Sequence, residues 1–245
     1  MNFQTKIKVA IFITIIAFTI FACKLFQKES QRTTQQGFYA IQPEMILNAI
    51  AYSEDNVFLP ITEHDVNVVR SAPPNGSSVN WTQFDYLYIV DAFYKVILHD
   101  TLSDWHLNSM DFSMSCSEVA TGMQDGRFEF FKIVKNEHNQ EVLISRFIDV
   151  DPRYKVVLFW EREFYPYVFT RSSIDPTNIK FDSTKVLQIA EDGGGRNQRL
   201  AIKNACDISL DLSPDSVRYR GWKVVYRGDG VAFEINVDPF TGDIH

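Results

Sequence analysis

The stretch RFEFFKIVKNEHNQEVLISRFIDVDPRYKVVLFWEREF, from Arg127 to Phe164, decides the fold class of the chain. It holds three short apolar and aromatic runs separated by turn residues: Arg127–Lys135, Glu141–Val150 and Tyr154–Phe164. A polar loop over residues 136–140 joins the first two runs, and the Asp151-Pro152 turn joins the second to the third. Parallel neighbours would need long crossovers, so loops this short predict an antiparallel meander.

A second apolar pattern occupies the last third of the chain, around one predicted helix. Ser183 suits the N-cap of that helix, and Gly193–Gly195 suits its end, because Gly accepts left-handed backbone at low cost. Gly228-Asp229-Gly230 then predicts a tight hairpin between two strands. We expect one apolar face of this hairpin to pack against the helix. That face comprises Trp222, Val224, Tyr226, Phe233, Ile235 and Val237.

The two patterns together predict an α+β fold with antiparallel sheets and packed helices. Phe84–His99 alternates apolar, aromatic and polar residues and is predicted to be a further strand. Ile148–Pro152 and Ile235–Pro239 end two predicted strands on similar Asp-Pro turns. This echo has two interpretations: two tandem helix-plus-sheet units, or chance repetition of a common turn.

Composition divides the chain into four segments. Residues 1–22 are predicted to be a signal peptide or membrane anchor, and the polar residues 23–40 a tether. Residues 41–178 form a predicted N-terminal α+β domain. Residues 179–245 form a predicted C-terminal domain.

The N-terminal segment carries the pattern of an export signal. Lys6 and Lys8 precede the uncharged run Val9–Ala22, whose 14 residues are fewer than the roughly 20 that a membrane-spanning helix needs. The run ends on Ile20-Phe21-Ala22-Cys23, which resembles a bacterial lipobox and would place a lipid on Cys23. A signal anchor and cleavage after Ala22 without lipid are the alternatives. All three predict an extracytoplasmic protein, and the first two tether it to the membrane of the cell envelope.

The C-terminal segment also carries a family likeness. The residues concerned are Val186, Leu187, Ile189, Ala190, Gly193-Gly194, Trp222–Tyr226 and Phe233–Ile244. This pattern resembles a PepSY-type module over about 60 of the 245 residues, and departs from it by the insertion Asn197–Arg220. The resemblance implies a helix packed on a small antiparallel sheet in a secreted or membrane-anchored protein. It also implies a role for some members in regulating secreted peptidases, and it supplies no catalytic residue.

Charge and composition narrow the classes of partner. The chain has 24 Lys and Arg against 31 Asp and Glu, a net charge of −7, and no concentrated basic stretch. Nucleic acid is therefore an unsuitable partner, because phosphate binding needs such a surface. We expect a non-catalytic envelope protein that binds an unknown protein or peptide, with no cofactor and no metal. An envelope hydrolase with a carboxylate or His site is the alternative.

Four aromatic residues and two cysteines are the remaining site candidates. Trp160, Phe164, Tyr165 and Tyr167 would suit a binding face on an exposed sheet, although the same residues would also suit a core. Cys116 and Cys206 would form a disulfide in an oxidising compartment, or remain two separate buried thiols.

Two clusters contain residue types that can carry chemistry, and an ordinary structural role explains each of them. His99, Asp100, Asp104 and His106 include residue types that bind metals, but they are expected to be ordinary loop residues. Asp149, Asp151, Glu161 and Glu163 lie among arginines, and cross-strand ion pairing explains them without catalysis.

Overall fold

The computed structural model describes residues 30–41, 58–71, 81–119, 125–165, 172–214 and 221–245. Within these ranges it describes every side chain except those of residues 30–34, 165 and 231. The predicted export signal, Cys23 and Tyr167 lie outside the described residues.

The described strands form one antiparallel sheet of nine strands in the order β2-β1-β6-β5-β4-β3-β7-β8-β9. Their bounds are β1 Ser30–Ile41, β2 Phe58–Pro60, β3 His106–Ser115, β4 Asp125–Lys135, β5 Glu141–Asp151, β6 Val156–Tyr165, β7 Cys206–Ser213, β8 Gly221–Gly228 and β9 Val231–Val237. The α-helices are α1 Glu63–Ser71, α2 Gln83–Val96, α3 Ser183–Ala190 and α4 Arg196–Ala201. A π-type turn, Glu191–Gly195, joins α3 to α4.

The prediction of an α+β fold with two tandem helix-plus-sheet units is wrong, because the fold is mostly β and built on a single sheet. Strand β3 pairs with β7 from Met110↔Leu212 to Ser115↔Asp207, so the ladder continues across the predicted boundary at residue 178. The physical reason is that separate sheets would have left the edges of β3 and β7 with unpaired backbone groups. Pairing of the two edges gives these backbone groups hydrogen-bond partners.

Phe84–His99 was predicted to be a strand, but Gln83–Val96 is the helix α2. Its N-terminus carries a capping box, in which Asp85 Oδ2 accepts hydrogen bonds from Thr82 N at 2.8 Å and from Thr82 Oγ1 at 2.9 Å. The buried residues recur at helical spacing: Tyr86, Ile89, Val90 and Phe93. This spacing and the cap outweigh the strand preference of the aromatic residues.

Residues 30–40, the last part of the predicted polar tether, belong to β1, which begins at Ser30. Strand β1 pairs with β6 along most of its length, up to Ala40↔Val156. Backbone hydrogen bonds do not depend on side-chain polarity, so the exposed Gln35 and Gln36 are compatible with a strand.

The antiparallel meander predicted around Arg127–Phe164 is present as β4, β5 and β6. The loop between β4 and β5 closes through a hydrogen bond from Asn136 N to Gln140 O of 3.0 Å. Asn139 takes a left-handed conformation there, with φ of 58°.

The apolar core lies on one face of the sheet, beneath α2 and α3. Trp222, Val224 and Tyr226 of β8 are fully buried, and Gly195 packs so closely on Tyr226 that an added Cβ would lie 2.4 Å from Cζ of the ring. Ile235 and Val237 of the hairpin face are also buried, while Phe233 is half-buried. This face therefore packs as the alternation in the sequence indicates.

A disulfide joins Cys116, directly after β3, to Cys206, the first residue of β7. Their Cα atoms lie 5.3 Å apart, a normal separation for a disulfide. The bond links chain segments 90 residues apart at the junction between β3 and β7.

Candidate functional site

The face of the sheet opposite α2 and α3 carries a row of charged side chains. Met110 and Phe112 of β3 point into the core, so Asp111 between them points to the other face. The register places Asp111 opposite Asp211 of β7 on one side and Arg127 of β4 on the other. Arg127 in turn stands opposite Asp149 of β5. Four neighbouring strands thus present three carboxylates and one guanidinium in a single row.

This row borders a groove of about 400 Å³. Residues of β3, β4 and β5 form most of its lining. We call it the carboxylate groove, and its charged lining residues are Asp111, Asp125, Asp149, Asp151, Arg70 and Arg127.

Arg127 and Asp149 form a bidentate ion pair in the groove. Arg127 Nε donates to Asp149 Oδ1 at 2.7 Å, and Nη2 donates to Oδ2 at 2.9 Å. The hydrogen bonds from Arg127 raise the pKa of that guanidinium above its ordinary value. The charge of Arg127 is therefore already paired with Asp149.

Arg153 forms a second charged cluster, next to the groove residues Asp125 and Asp151. Its Nη2 contacts Asp125, its Nε lies 3.5 Å from Asp151 Oδ1, and its Nη1 donates to Glu118 Oε1 at 3.3 Å. Asp151 is almost buried, with 4% of its side chain exposed, and Arg70 Nη2 lies 3.6 Å from its Oδ2. The Arg153 guanidinium therefore pairs with three carboxylates, those of Asp125, Asp151 and Glu118.

The carboxylates outnumber the cations at this surface. Among the described residues, Arg70, Arg127 and Arg153 face the four groove carboxylates, and two further acids, Glu118 and Asp211, stand beside them. Lys223 is opposite Asp211 on β8 and makes an ion pair of 2.9 Å with Glu234. The groove holds surplus negative charge.

Burial raises the pKa of three carboxyl groups in and beside the groove, and neighbouring carboxylates add to the effect at Asp111 and Asp125. Burial, followed by the nearby Asp211 carboxylate, raises the pKa of Asp111 to about 6, although Arg127 acts in the opposite direction. Burial and the neighbouring Asp151 raise the pKa of Asp125 to about 7, against the effect of Arg153. Burial also raises the pKa of Asp211. Asp111 and Asp125 therefore exchange protons close to neutral pH.

The aromatic residues predicted to form a binding face are only partly described. Trp160 lies on the same sheet face as the groove, stacked on Phe147 with ring centroids 5.4 Å apart. Arg127 lies over the Trp160 ring at 5.4 Å and connects it to the groove. Phe164 is half-buried on this face, whereas the side chain of Tyr165 and all of Tyr167 lie outside the description.

The four clustered carboxylates of the sequence separate onto two faces. Asp149 and Asp151 line the groove, but Glu161 faces the other side, where it accepts a hydrogen bond of 2.8 Å from Arg146 Nε. Glu163 alternates with Arg162 and shares the side of Glu161. The expected set of four does not form one site.

The residues considered as metal ligands are also separated. Asp100 accepts hydrogen bonds from Arg146 Nη1 at 2.6 Å and Trp105 Nε1 at 3.0 Å, while His106 stacks on Phe131 at 5.3 Å. His99 and Asp104 are exposed. Across the described ranges, no group of three or more His, Cys, Asp or Glu residues is placed to hold a metal ion.

The sequence reasoning missed Asp111 and Asp125, which are central to the groove. A signal for Asp111 was present, because it alternates with the apolar residues of LNSMDFSMS, Leu107–Ser115. A buried network on the core side was not predicted either. In this network Glu191 accepts hydrogen bonds from Tyr226 Oη at 2.9 Å and from Arg199 Nε at 2.9 Å. Only the fold brings those residues together.

Comparison of the chain with protein-family models, curated proteins and solved structures found no match. The PepSY-type resemblance therefore stays a prediction. None of the helices within the described ranges is both long enough and apolar enough to cross a membrane.

Proposed function

We propose that this chain is a non-catalytic binding protein of the cell envelope that takes a basic segment of a partner protein into the carboxylate groove. The observation that carries the proposal is the surplus of carboxylates over guanidinium groups around an open groove. A lysine or arginine side chain of a partner would supply the missing positive charge.

The groove favours an added cation for a physical reason. Asp111 stands between Asp211 and Arg127, and Arg127 already makes two hydrogen bonds to Asp149. A cation beside Asp111 relieves the repulsion from Asp211, and partial burial strengthens the attraction compared with open water. Trp160 and Phe147, next to Arg127, add an apolar surface for the rest of the segment.

The sequence supports the cellular context of this proposal. The export signal and the lipobox-like Ile20–Cys23 favour an extracytoplasmic protein tethered through lipid on Cys23. The PepSY-type likeness favours a secreted peptidase as the regulated partner. The change Cys23→Ala should release the protein from membranes into the soluble exported fraction. Retention of this variant in the membrane would favour the signal anchor instead.

Binding of hexalysine to the purified full chain, measured by calorimetry at low ionic strength, tests the groove. We expect Asp111→Asn to weaken binding by on the order of fivefold, because it removes one partly buried charge next to the ligand. Glu137→Gln is the matched control, since it removes one charge from a side chain that is 85% exposed in the β4–β5 loop. Equal weakening by both variants would reduce the effect to net charge and contradict a site in the groove.

One observation favours an envelope hydrolase as the second candidate. With its pKa of about 7, Asp125 can hold a proton near neutral pH, while Asp149 in the same groove is held by Arg127. A carboxyl group with a raised pKa suits general acid catalysis, and Asp149 would be the second carboxyl group of the pair. Turnover in a panel of hydrolase substrates that is lost in Asp125→Asn and kept in Glu137→Gln would establish this alternative over simple binding.

A further inference from the structure

The turn that follows β3 connects the disulfide to the carboxylate groove. Cys116 N donates to Cys206 O at 2.8 Å, which holds the start of the turn against β7. Two residues later, Glu118 N donates to Ser115 O at 2.8 Å, and Ser115 N donates to Glu118 Oε2 at 2.9 Å. The covalent bond and these hydrogen bonds fix the position of the Glu118 carboxylate.

The Glu118 carboxylate contacts Arg153, next to the groove. Its Oε1 accepts the 3.3 Å hydrogen bond from Arg153 Nη1, and both side chains are about four-fifths buried, with 21% and 18% exposed. The same guanidinium contacts Asp125 and Asp151. Glu118 is therefore the third carboxylate that pairs with the Arg153 guanidinium, beside Asp125 and Asp151.

We propose that the Cys116–Cys206 disulfide sets the affinity of the carboxylate groove for basic ligands by holding Glu118 against Arg153, so that the oxidised chain binds them more tightly than the reduced chain. This inference rests on the proposed function for its ligand. Glu118 acts as a positioning residue, because it lies beside the groove and contacts Arg153.

The charges around Arg153 explain why the oxidised chain binds a basic ligand more tightly. At pH 8, where Asp125 is ionised and Glu118 is in place, Arg153 and its three carboxylates carry a net charge of −2. When Glu118 moves away, Arg153 neutralises Asp125 and Asp151 more fully, and the charge that faces the ligand falls to −1. The affinity for a basic ligand then falls by about threefold to tenfold. This is the effect expected when one charge is removed whose distance from the ligand and effective dielectric constant lie between those of a buried contact and bulk water.

The chemical step is a two-electron reduction by a dithiol. A thiolate of the reductant attacks one sulfur, and Cys206 is the more accessible of the two, with 8% exposed against 1% for Cys116. The second reductant thiol resolves the mixed disulfide. The S–S bond of the chain breaks, its sulfurs gain two electrons and two protons, and the reductant becomes a disulfide.

Hexalysine binding by the full chain before and after dithiothreitol treatment is the first test. We expect the reduced wild type to bind threefold to tenfold more weakly, with an unchanged circular dichroism spectrum. Glu118→Gln should bind as weakly as the reduced wild type and should not respond further to the reductant, because both changes remove the same contact. The control Glu137→Gln should keep the full response.

The carboxyl titration of Asp125, followed by NMR without ligand, separates this inference from the proposed function. The Glu118 carboxylate contributes to the raised pKa of Asp125, and Arg153 opposes it. Reduction and Glu118→Gln should therefore each lower that pKa. If hexalysine binds no form of the chain but the Asp125 pKa still responds, the coupling stands and the proposed ligand is wrong. An Asp125 pKa that responds to neither change overturns the coupling.

Discussion

Asp111 occupies a position where an uncharged side chain would fit the fold better than a carboxylate. Its neighbours along β3, Met110 and Phe112, are in the core, and its cross-strand neighbour Asp211 repels it. Carboxylates retained at such a cost in stability are characteristic of functional sites.

The raised pKa of Asp111 leads to a pH-dependent stability. A carboxyl whose pKa is about 6 in the folded chain and near 4 in the unfolded chain binds more protons when folded. The free energy of unfolding therefore falls as the pH rises from about 4 to about 7, and Asp125 adds to this slope.

We expect Asp111→Asn to raise the free energy of unfolding at pH 8 by about 1 kcal/mol and to leave it unchanged at pH 4. Urea denaturation at the two pH values provides the measurement, with Glu137→Gln as the control. A variant less stable than wild type at pH 8 would show that the carboxylate is a net stabiliser, contrary to this view.

Helix α2 illustrates how local signals of two kinds compete. The aromatic residues of Gln83–Val96 favour a strand, but Thr82 and Asp85 form a capping box and the buried residues recur every three or four positions. Tyr86 is buried against Phe112 of β3, with ring centroids 5.4 Å apart. Tertiary packing selects the helix.

The capping box gives a direct test of this account. Thr82→Ala removes the side-chain cap and should lower the free energy of unfolding by about 1 kcal/mol. Thr177→Ala is a comparison at the short turn Pro176–Asn178, where Asp175 accepts hydrogen bonds from Thr177 N and Oγ1. We expect a smaller loss there, because that turn has no buried residue. Equal losses in chemical denaturation would argue against a special role for the cap of α2.

The parts of the fold that could be read from the sequence are those fixed by short-range patterns. The β4–β6 meander and the β8–β9 hairpin follow from alternation and turn residues such as Gly228-Asp229-Gly230. The pairing of β3 with β7 and of β1 with β6 has no local signature, because any exposed strand edge suits any other. The position of Asp211 opposite Asp111 depends on the first of these pairings, so these two carboxylates could not be placed together in advance.

The disulfide should contribute strongly to the stability of the complete sheet. It closes a loop between residues 90 apart in sequence, and the lost loop-closure entropy raises the free energy of the unfolded chain by about 4.5 kcal/mol. The double variant Cys116→Ala/Cys206→Ala should therefore unfold at a lower urea concentration than wild type. The wild type in dithiothreitol should match it. If neither the double variant nor the reduced wild type shows a shifted urea midpoint, the β3–β7 ladder alone stabilises the junction.

The long-range ladders β1–β6 and β3–β7 also govern how the chain reaches its native state. Each joins residues more than 90 positions apart, as in Ser115↔Asp207 and Ala40↔Val156. Topologies with this much non-local pairing have a high contact order, and their folding takes milliseconds to seconds. Until β7 arrives, the edge of β3 is open to strands of other copies, so refolding yield should fall as protein concentration rises.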